Sequence, residues 1–384
     1  MIKKIIFRTD DVTPCLASVA SVVSTKNSMP ILATVVLYTQ KEEKDDGRLF
    51  MTLLASDGDL WVRREVVIDA ESDRGISLCL DAKAFLQSIQ GLPNTVVNIE
   101  VDESKLIATC LYVNGNFSMP FYKSDVYPRP SSVQEGSFTA TLKADTLYNA
   151  MEKVSFAIAN DPIFLVLNGI HLEFGENKLI AVATDKRRFG KYENKVGEAE
   201  ENLHYVNLPN KPCKILSAAL QEGESEAVTV SFDDTTAIFS IGSFRLTTRL
   251  LEGNYLNYNA IIPKGYENTI ILDKNSLTNA VRRVSLMANS SDLVSVILSD
   301  GICTVSSEDL DNSKSATEKI NCEYQGEPFK IGLSSAYLLS VLKPICGESV
   351  KMVVKTPLTP AFFFEAEDAE DYDYMSMLMP MKIL

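Results

Sequence analysis

Asp185 is followed directly by Lys186, Arg187 and Arg188, the one place where residue types and spacing suggest chemistry. An acid beside three cations is the composition of a proton acceptor with electrostatic helpers. A counterpart of Asp185 recurs at Asp57, however, after a similar apolar run. Repetition of this kind marks a turn residue whose carboxylate satisfies backbone donors. The two histidines, His171 and His204, have no second half of a site near them in sequence. No GxSxG, P-loop, HExxH or strand–helix GxGxxG motif is present. The seven cysteines (Cys15, Cys79, Cys110, Cys213, Cys303, Cys322 and Cys346) form no CxxC pair and mostly lie in apolar segments. They read as reduced core residues of a cytoplasmic protein, with neither a metal site nor a disulfide framework. The residues point away from catalysis, metals and cofactors, and toward binding.

The formal charge of −14 on 384 residues argues, taken alone, against a nucleic-acid partner. The distribution of charge reverses that reading. Lys83, Lys143, Lys153, Lys211, Lys214, Lys274, Arg282, Arg283 and Lys343 lie on or beside expected helices. Much of the acid falls in expected loops, at residues 42–46, 198–201, 233–234 and 365–373. A basic helical face on an otherwise acidic molecule is compatible with phosphate binding. No apolar run is long enough to span a membrane. The basic-then-apolar N-terminus reads as a first strand rather than a signal peptide, because Arg8, Asp10 and Asp11 follow at once.

The elements that carry these residues repeat. Residues 165–174 and 179–183 form a hairpin by apolar period, with turn residues at 175–177. Related pairs occur at residues 30–37 with 51–57 and at 293–298 with 301–309. The endings Ala55-Ser56-Asp57, Ala183-Thr184-Asp185 and Ser306-Ser307-Glu308 are expected to correspond. Helices are expected to begin near residues 10, 144 and 274, a period of about 130 residues, which is domain-sized rather than solenoid-sized. In the first helix, Thr9-Asp10-Asp11 is expected to cap, Pro14 to fit the first turn, and the end to fall near Ser24. Each unit reads β-α-ββ-(β)-α-βββ, an α+β class built on antiparallel sheets. The expected domains are 1–130, 135–254 and 258–384. The tail, residues 374–384 (YMSMLMPMKIL), is unusually rich in Met, a side chain suited to accommodating different partners.

Several motifs together resemble the bacterial sliding-clamp family, the β subunit of the replicative DNA polymerase III. They are Leu167-Asn168-Gly169, Val182-Ala183-Thr184-Asp185 with Arg188, and Met379-Pro380-Met381-Lys382, with weaker matches at Pro30-Ile31-Leu32 and Gly91-Leu92-Pro93. The resemblance spans the whole chain. It implies a non-catalytic processivity subunit without cofactor or metal, acting in the cytoplasm. Two subunits would join head to tail into a ring of six similar domains, with helices lining the hole and sheets outside. The alternative is an acidic scaffold of the same fold that binds protein partners only.

The resemblance also implies roles for residues. A pocket for peptides of the polymerase, the clamp loader and other clients would use Leu167, Thr184, Lys186, Arg187, Arg188, Phe189, Ile261, Met377, Leu378, Met379, Pro380 and Met381. Lys26 and the helical cations above would face duplex DNA without sequence preference. Phe117 and Met119 of one subunit would meet Leu286 and Met287 of the other. Some positions differ from the family's commoner residues. Lys186 and Arg187 stand where Gly and His are common, Leu256 where Pro is, and Ala260 where Arg is. Phe164 replaces a basic residue, and the tail is one residue longer.

Overall fold

The computed structural model describes residues 2–24, 29–40, 48–134, 137–175, 178–194, 204–262, 265, 268–367 and 369–383. Lys26 lies outside them, as do the expected acidic loops at 42–46 and 198–201.

The first repeat runs β1 (Ile2–Arg8), α1 (Thr9–Ala20), β2 (Thr34–Thr39), β3 (Leu49–Ser56), β4 (Leu60–Ile68), β5 (Ser77–Asp81), α2 (Ala82–Gln90), β6 (Val96–Asp102), β7 (Ile107–Tyr112) and β8 (Gly115–Pro120), followed by a short β9 (Tyr122–Lys123). The second runs β10 (Phe138–Lys143), α3 (Ala144–Ser155), β11 (Gly169–Phe174), β12 (Leu179–Thr184), β13 (Arg188–Asn194), β14 (His204–Pro209), α4 (Asn210–Gln221), β15 (Ala227–Phe232), β16 (Thr236–Ile241) and β17 (Phe244–Arg249). The third runs β18 (Asn268–Asp273), α5 (Lys274–Ser285), β19 (Leu293–Ser299), β20 (Ile302–Asp309), β21 (Lys314–Glu323), β22 (Phe329–Ser334), α6 (Ser335–Leu342), β23 (Ser349–Val354), β24 (Ala361–Glu365) and β25 (Tyr372–Leu378). Each repeat is therefore β-α-ββββ-α-βββ.

Local chemistry accounts for the helices. The Asp81 carboxylate accepts from the Ala84 N–H at 2.7 Å to cap α2, and Asp273 accepts from Ser276 at 2.6 Å to cap α5. Ser334 caps α6 through the Tyr337 N–H. The expected cap of α1 is absent. Its preceding residue is Arg8, and the Thr9 hydroxyl donates to the Pro93 carbonyl instead. Pro14 lies inside that helix, which stops at Ala20. Buried stripes such as Leu277, Val281 and Val284 on α5 fix which face turns inward. Residues 165–167 form a 3-10 turn, so the strand expected there starts at Gly169.

The turn aspartates correct one expected correspondence. Asp57 accepts from Asp59 and Leu60 N–H groups, Asp185 from Arg187 and Arg188, and Asp309 from Asn312. Strand alternation agrees: Ser307 and Asp309 are buried on β20, as Ala55 is on β3. The counterpart of Asp57 and Asp185 is thus Asp309, one residue beyond Glu308.

The chain packs as two units, residues 1–145 with 214–250, and residues 146–213 with 251–384. In the first, a four-stranded sheet (β1-β6-β7-β8) accompanies a nine-stranded one (β10-β15-β16-β17-β4-β3-β2-β5-β9). In the second, twelve strands run β14-β11-β12-β13-β25-β24-β23-β18-β21-β20-β19-β22. The last strand of one repeat joins the fourth strand of the repeat before it. In the first unit β17 pairs with β4, and in the second β25 pairs with β13. Beneath these sheets lie apolar cores; that of the third repeat gathers Leu277, Val281, Val296, Ile331, Leu338 and Phe363.

Candidate functional site

The turn between β12 and β13 builds one wall of a cleft. Asp185 Oδ1 accepts from the N–H groups of Arg187 (2.9 Å) and Arg188 (2.6 Å), so the acid is a turn former. Lys186 has φ +70°, in the left-handed region where glycine is at ease. That conformation aims its ammonium at a rim. Lys186 Nζ is 3.3 Å from Asp161 Oδ2 and 3.1 Å from the Phe164 ring centre. The Asp161 carboxyl is held below the usual carboxylate range, first by the Phe164 and Ile163 N–H groups and then by Lys186. On this rim Ile163, Phe164 and Leu165 are 79%, 49% and 59% exposed. Arg188 turns the other way. It donates to Asp185 Oδ2 and Ser340 Oγ, with its guanidinium 4.4 Å from the Tyr337 ring.

The tail supplies the opposite wall. Beyond β25, the Met379 N–H donates to the Arg187 carbonyl at 2.8 Å and the Met381 N–H to the Gly332 carbonyl at 2.8 Å. A Cβ at Gly332 would lie 2.6 Å from the Met381 oxygen, so a glycine is required for this approach. Between the walls lies a cleft of about 510 Å³ lined by Lys186, Arg187, Asp292, Tyr337, Met379, Pro380 and Met381. Beside it Ile180, Val182, Phe189, Tyr258, Phe362, Met375 and Met377 form a buried apolar cluster, with Ile261 packed against it. Glu173 positions this cluster, accepting from the Tyr258 hydroxyl at 2.7 Å and lying 3.1 Å from His171 Nε2. Burial would raise the Glu173 carboxyl, but the His171 and Tyr258 hydrogen bonds outweigh it and the group sits below its ordinary value. The Tyr258 phenol is pushed well above its ordinary value by burial and by Glu173, and stays a donor. An apolar floor with a few fixed polar groups is the make-up of a peptide groove.

The structure sorts the expected pocket residues. Lys186, Arg187, Met379, Pro380 and Met381 line the cleft. Leu167, Thr184, Phe189 and Met377 are buried; Phe189 and Met377 belong to the apolar cluster, and the Thr184 hydroxyl accepts from the Lys186 N–H. Arg188 is half-buried and orders the turn and Tyr337. Leu378 is a correction: it is fully buried within the core of the third repeat. Strand alternation on β25 sends its side chain to the face opposite Met377. Tyr337, Asp292, Tyr258 and Glu173 were not anticipated. The run Ile163-Phe164-Leu165, apolar just before a turn, was the one sequence signal for the rim.

The expected DNA-facing residues also divide. Lys83, Lys143, Lys211, Lys214, Arg282, Arg283 and Lys343 are exposed. Lys274 is half-buried and donates to the Ile345 carbonyl at 2.7 Å. Lys153 is a correction. It is 6% exposed, donates to Glu365 Oε1 (2.7 Å) and the Pro344 carbonyl (3.0 Å), and lies 4.6 and 4.7 Å from the Tyr372 and Tyr374 rings. Its ammonium is enclosed by a carboxylate, a carbonyl and two aromatic faces, and cannot meet a phosphate. Of the expected interface residues, Phe117 and Met119 lie half-buried on β8, the end strand of its sheet, while Leu286 is 73% and Met287 36% exposed just after α5. Among the described residues no group of three or more His, Cys, Asp or Glu is placed to hold a metal ion, and no helix is long and apolar enough to cross a membrane.

Comparison with known proteins agrees with this architecture. Residues 3–131, 141–257 and 259–382 match the family models of the DNA polymerase III beta subunit N-terminal, central and C-terminal domains. A beta sliding clamp of Pseudomonas putida is 26% identical over 372 residues, covering 96% of each chain. That of Bacillus subtilis is 23% identical, covering 99% of each. A solved sliding clamp of Pseudomonas aeruginosa superposes with a TM-score of 0.91 at 22% identity, over 99% of this chain and 100% of that one. One from Caulobacter crescentus gives 0.86 at 25% identity, over 99% and 100%. With three consecutive domain models matched along nearly its whole length, the chain belongs to the DNA polymerase III beta subunit family.

Proposed function

We propose that this chain is a DNA sliding clamp. Two copies close head to tail around duplex DNA and tether the replicative polymerase for processive synthesis in the cytoplasm. The chain itself performs no chemistry.

One observation carries this reading: the two internal strand junctions have the same register, and the end strand β8 and the stretch of β21 before its two-residue pairing with β18 can make a third. Leu60, Arg188 and Lys314 are the residues paired with the turn aspartates Asp57, Asp185 and Asp309. Three residues further on stand Arg63, Lys191 and Thr317. Arg63 faces Arg245 across the first junction, and Lys191 faces Met375 across the second. On the other side, Ser240 pairs with Arg245, Phe364 with Met375 and Leu111 with Asn116, at matching ladder positions of the three repeats. The same rule sets Asn116 of one subunit opposite Thr317 of its partner, and Phe117 opposite Ala316. Pairing of β8 with a partner's β21 would cover both edges. Two such contacts related by a twofold axis give a closed assembly. Phe117 and Met119 would then approach Leu286 and Met287.

Lys83, Lys143, Lys211, Lys214, Arg282 and Lys343 support a DNA-facing surface of non-specific, counterion-releasing contacts. Arg283 contributes less, because Glu318 already binds it. The cleft of Lys186, Arg187, Tyr337 and the Met-rich tail suits the client peptides of the polymerase, the loader and related partners. The domains run 1–130, 135–254 and 258–384 in this reading.

Electron micrographs of the purified protein test it. Rings with an open centre, retained on circular but not linearised DNA, are the expected result. Compact particles at high protein concentration would overturn the proposal.

A further inference from the structure

A second cleft, of about 580 Å³, lies in the first unit where β4 meets β17 and shares no residue with the client cleft. Trp61, Ile238 and Thr247 line its floor, 5%, 8% and 4% exposed. Residues 130–133 form a wall, tied at both ends: Trp61 Nε1 donates to the Pro128 carbonyl (3.3 Å) and the Gln134 N–H to Asp233 Oδ2 (3.1 Å).

At its edge Arg63 and Arg245 stand directly opposite one another in the strand pair. Like charges in that position repel, so the arrangement is unfavourable unless an anion joins them. One carboxylate is already there: Arg63 Nη2 donates to Glu65 Oε1 at 2.6 Å. That leaves two guanidiniums against one acid. Arg63 Nε is buried without an acceptor, and Arg245 is exposed with no ion pair among the described residues. On a chain of net charge −14 such a local excess of cation is unusual.

The floor repeats the plan of the client site. Trp61 and Phe189 each stand four residues past their turn aspartate, and Thr247 faces Trp61 as Met377 faces Phe189. The chemistry differs at the edge, where Arg245 takes the position of Met375. The geometry points to a docking groove for an extended acidic peptide segment of a partner protein. A carboxylate of that segment bridges Arg63 and Arg245, and a neighbouring apolar side chain rests on Trp61. This rests on the repeat geometry and the charges, not on the ring.

Trp61 is the chain's one tryptophan, so its emission reports this cleft directly. The test titrates full-length protein with the peptide Asp-Asp-Leu-Val-Asp-Asp and, separately, with its Asn-for-Asp counterpart and a short DNA duplex. The expected result is a saturable emission change with the acidic peptide, about tenfold weaker in Arg245→Gln because a charge-assisted bond is lost. Arg245 is exposed, so this variant should fold; a chain lacking residues 379–384 should bind the peptide unchanged. No saturable change at millimolar peptide, equal binding of the Asn peptide, or full binding by Arg245→Gln would overturn the inference. So would a response to the duplex alone.

Discussion

Arg283 grips Glu318 with both ends of its guanidinium: Nε donates to Oε1 at 2.6 Å and Nη2 to Oε2 at 2.7 Å. Both residues belong to the third repeat, on α5 and β21. Lys153 holds the same place on α3, tenth in a twelve-residue helix. Its carboxylate partner, Glu365, comes from β24 of the following repeat. At the other internal junction, Arg64 of β4 is buried against Glu222 and Glu224 of the following repeat. The junctions inside the chain are thus locked by charges from two repeats. The cation at the free end is satisfied within its own repeat.

The two pairs should differ sharply on mutation. Lys153→Ala takes the cation from the buried Glu365 carboxylate and leaves it only the Cys346 N–H and the Tyr372 hydroxyl, which costs about 3–5 kcal/mol. Arg283→Ala breaks an exposed pair that water already screens, and should cost far less. Chemical denaturation of the two variants checks this; equal losses would remove the distinction.

The proposed register can be tested by cross-linking. Cysteines at Asn116 and Thr317 would face one another between subunits and form a covalent dimer on oxidation. The pair Asn116 and Ser315 would be diagonal, with Cα atoms about 7–8 Å apart and beyond disulfide reach. Cross-linking of the second pair but not the first, read on a non-reducing gel, would mean a different register.

Arg282 is exposed beside the compensated Arg283. Arg282→Ala should lower the slope of log affinity for duplex DNA against log salt by about 1, whereas Arg283→Ala should change it less. Filter binding across a salt series measures both. Equal slopes would show that Glu318 does not withhold Arg283 from phosphate.

Deletion of residues 379–384 removes one wall of the cleft proposed for client peptides but leaves β25 paired with β13. Peptide binding should fall by at least about tenfold, with the dimer intact. Sedimentation beside a peptide titration separates the two effects, and a monomeric product would contradict the assignment of the tail to the cleft.

Acid should loosen the same region. Glu173 and Glu193 are both held below the ordinary glutamate value of 4.5; for each, burial opposes the shift and hydrogen bonds outweigh it. For Glu193 the bonds come from Lys178 and Lys191. A depressed carboxylate stabilises the fold fully above the ordinary value, and this contribution fades as pH falls through the lower, folded value. The midpoint of thermal unfolding should therefore drop more steeply below pH 4.5 in the native chain than in Glu173→Gln. Parallel curves would show that Glu173 is not responsible.

Much of this structure was legible because apolar period and turn chemistry agree. The six α-helices among the described residues lie near their expected positions, and three hairpins mark the repeat. The fourth strand of each repeat was harder to see. β13 begins at Arg188 and β21 reads KSATEKINCE, with polar residues on one face and partly buried ones on the other. Such strands show little continuous apolar sequence and are defined by their neighbours. Lys153 was misplaced for a related reason. Its acceptors lie 191 to 212 residues away, and no local pattern announces a cation's burial. The cleft's tail and turn were readable from motif resemblance. Tyr337 and Asp292 come from the third repeat and are brought to the cleft by the long-range pairing of β19 with β22.

The methionines of the tail carry one more consequence. Met379 is 38% exposed on the cleft wall, while Met377 beside it is 3% exposed. Among the tail methionines a peroxide would reach Met379 first and convert its thioether to a sulfoxide, polar and chiral where an apolar, adaptable side chain is wanted. The damage would stop at the cleft, because the strand pairing that holds the tail uses backbone groups. Such a chain would keep its fold and weaken the client binding proposed for this cleft until a reductase restored the sulfur.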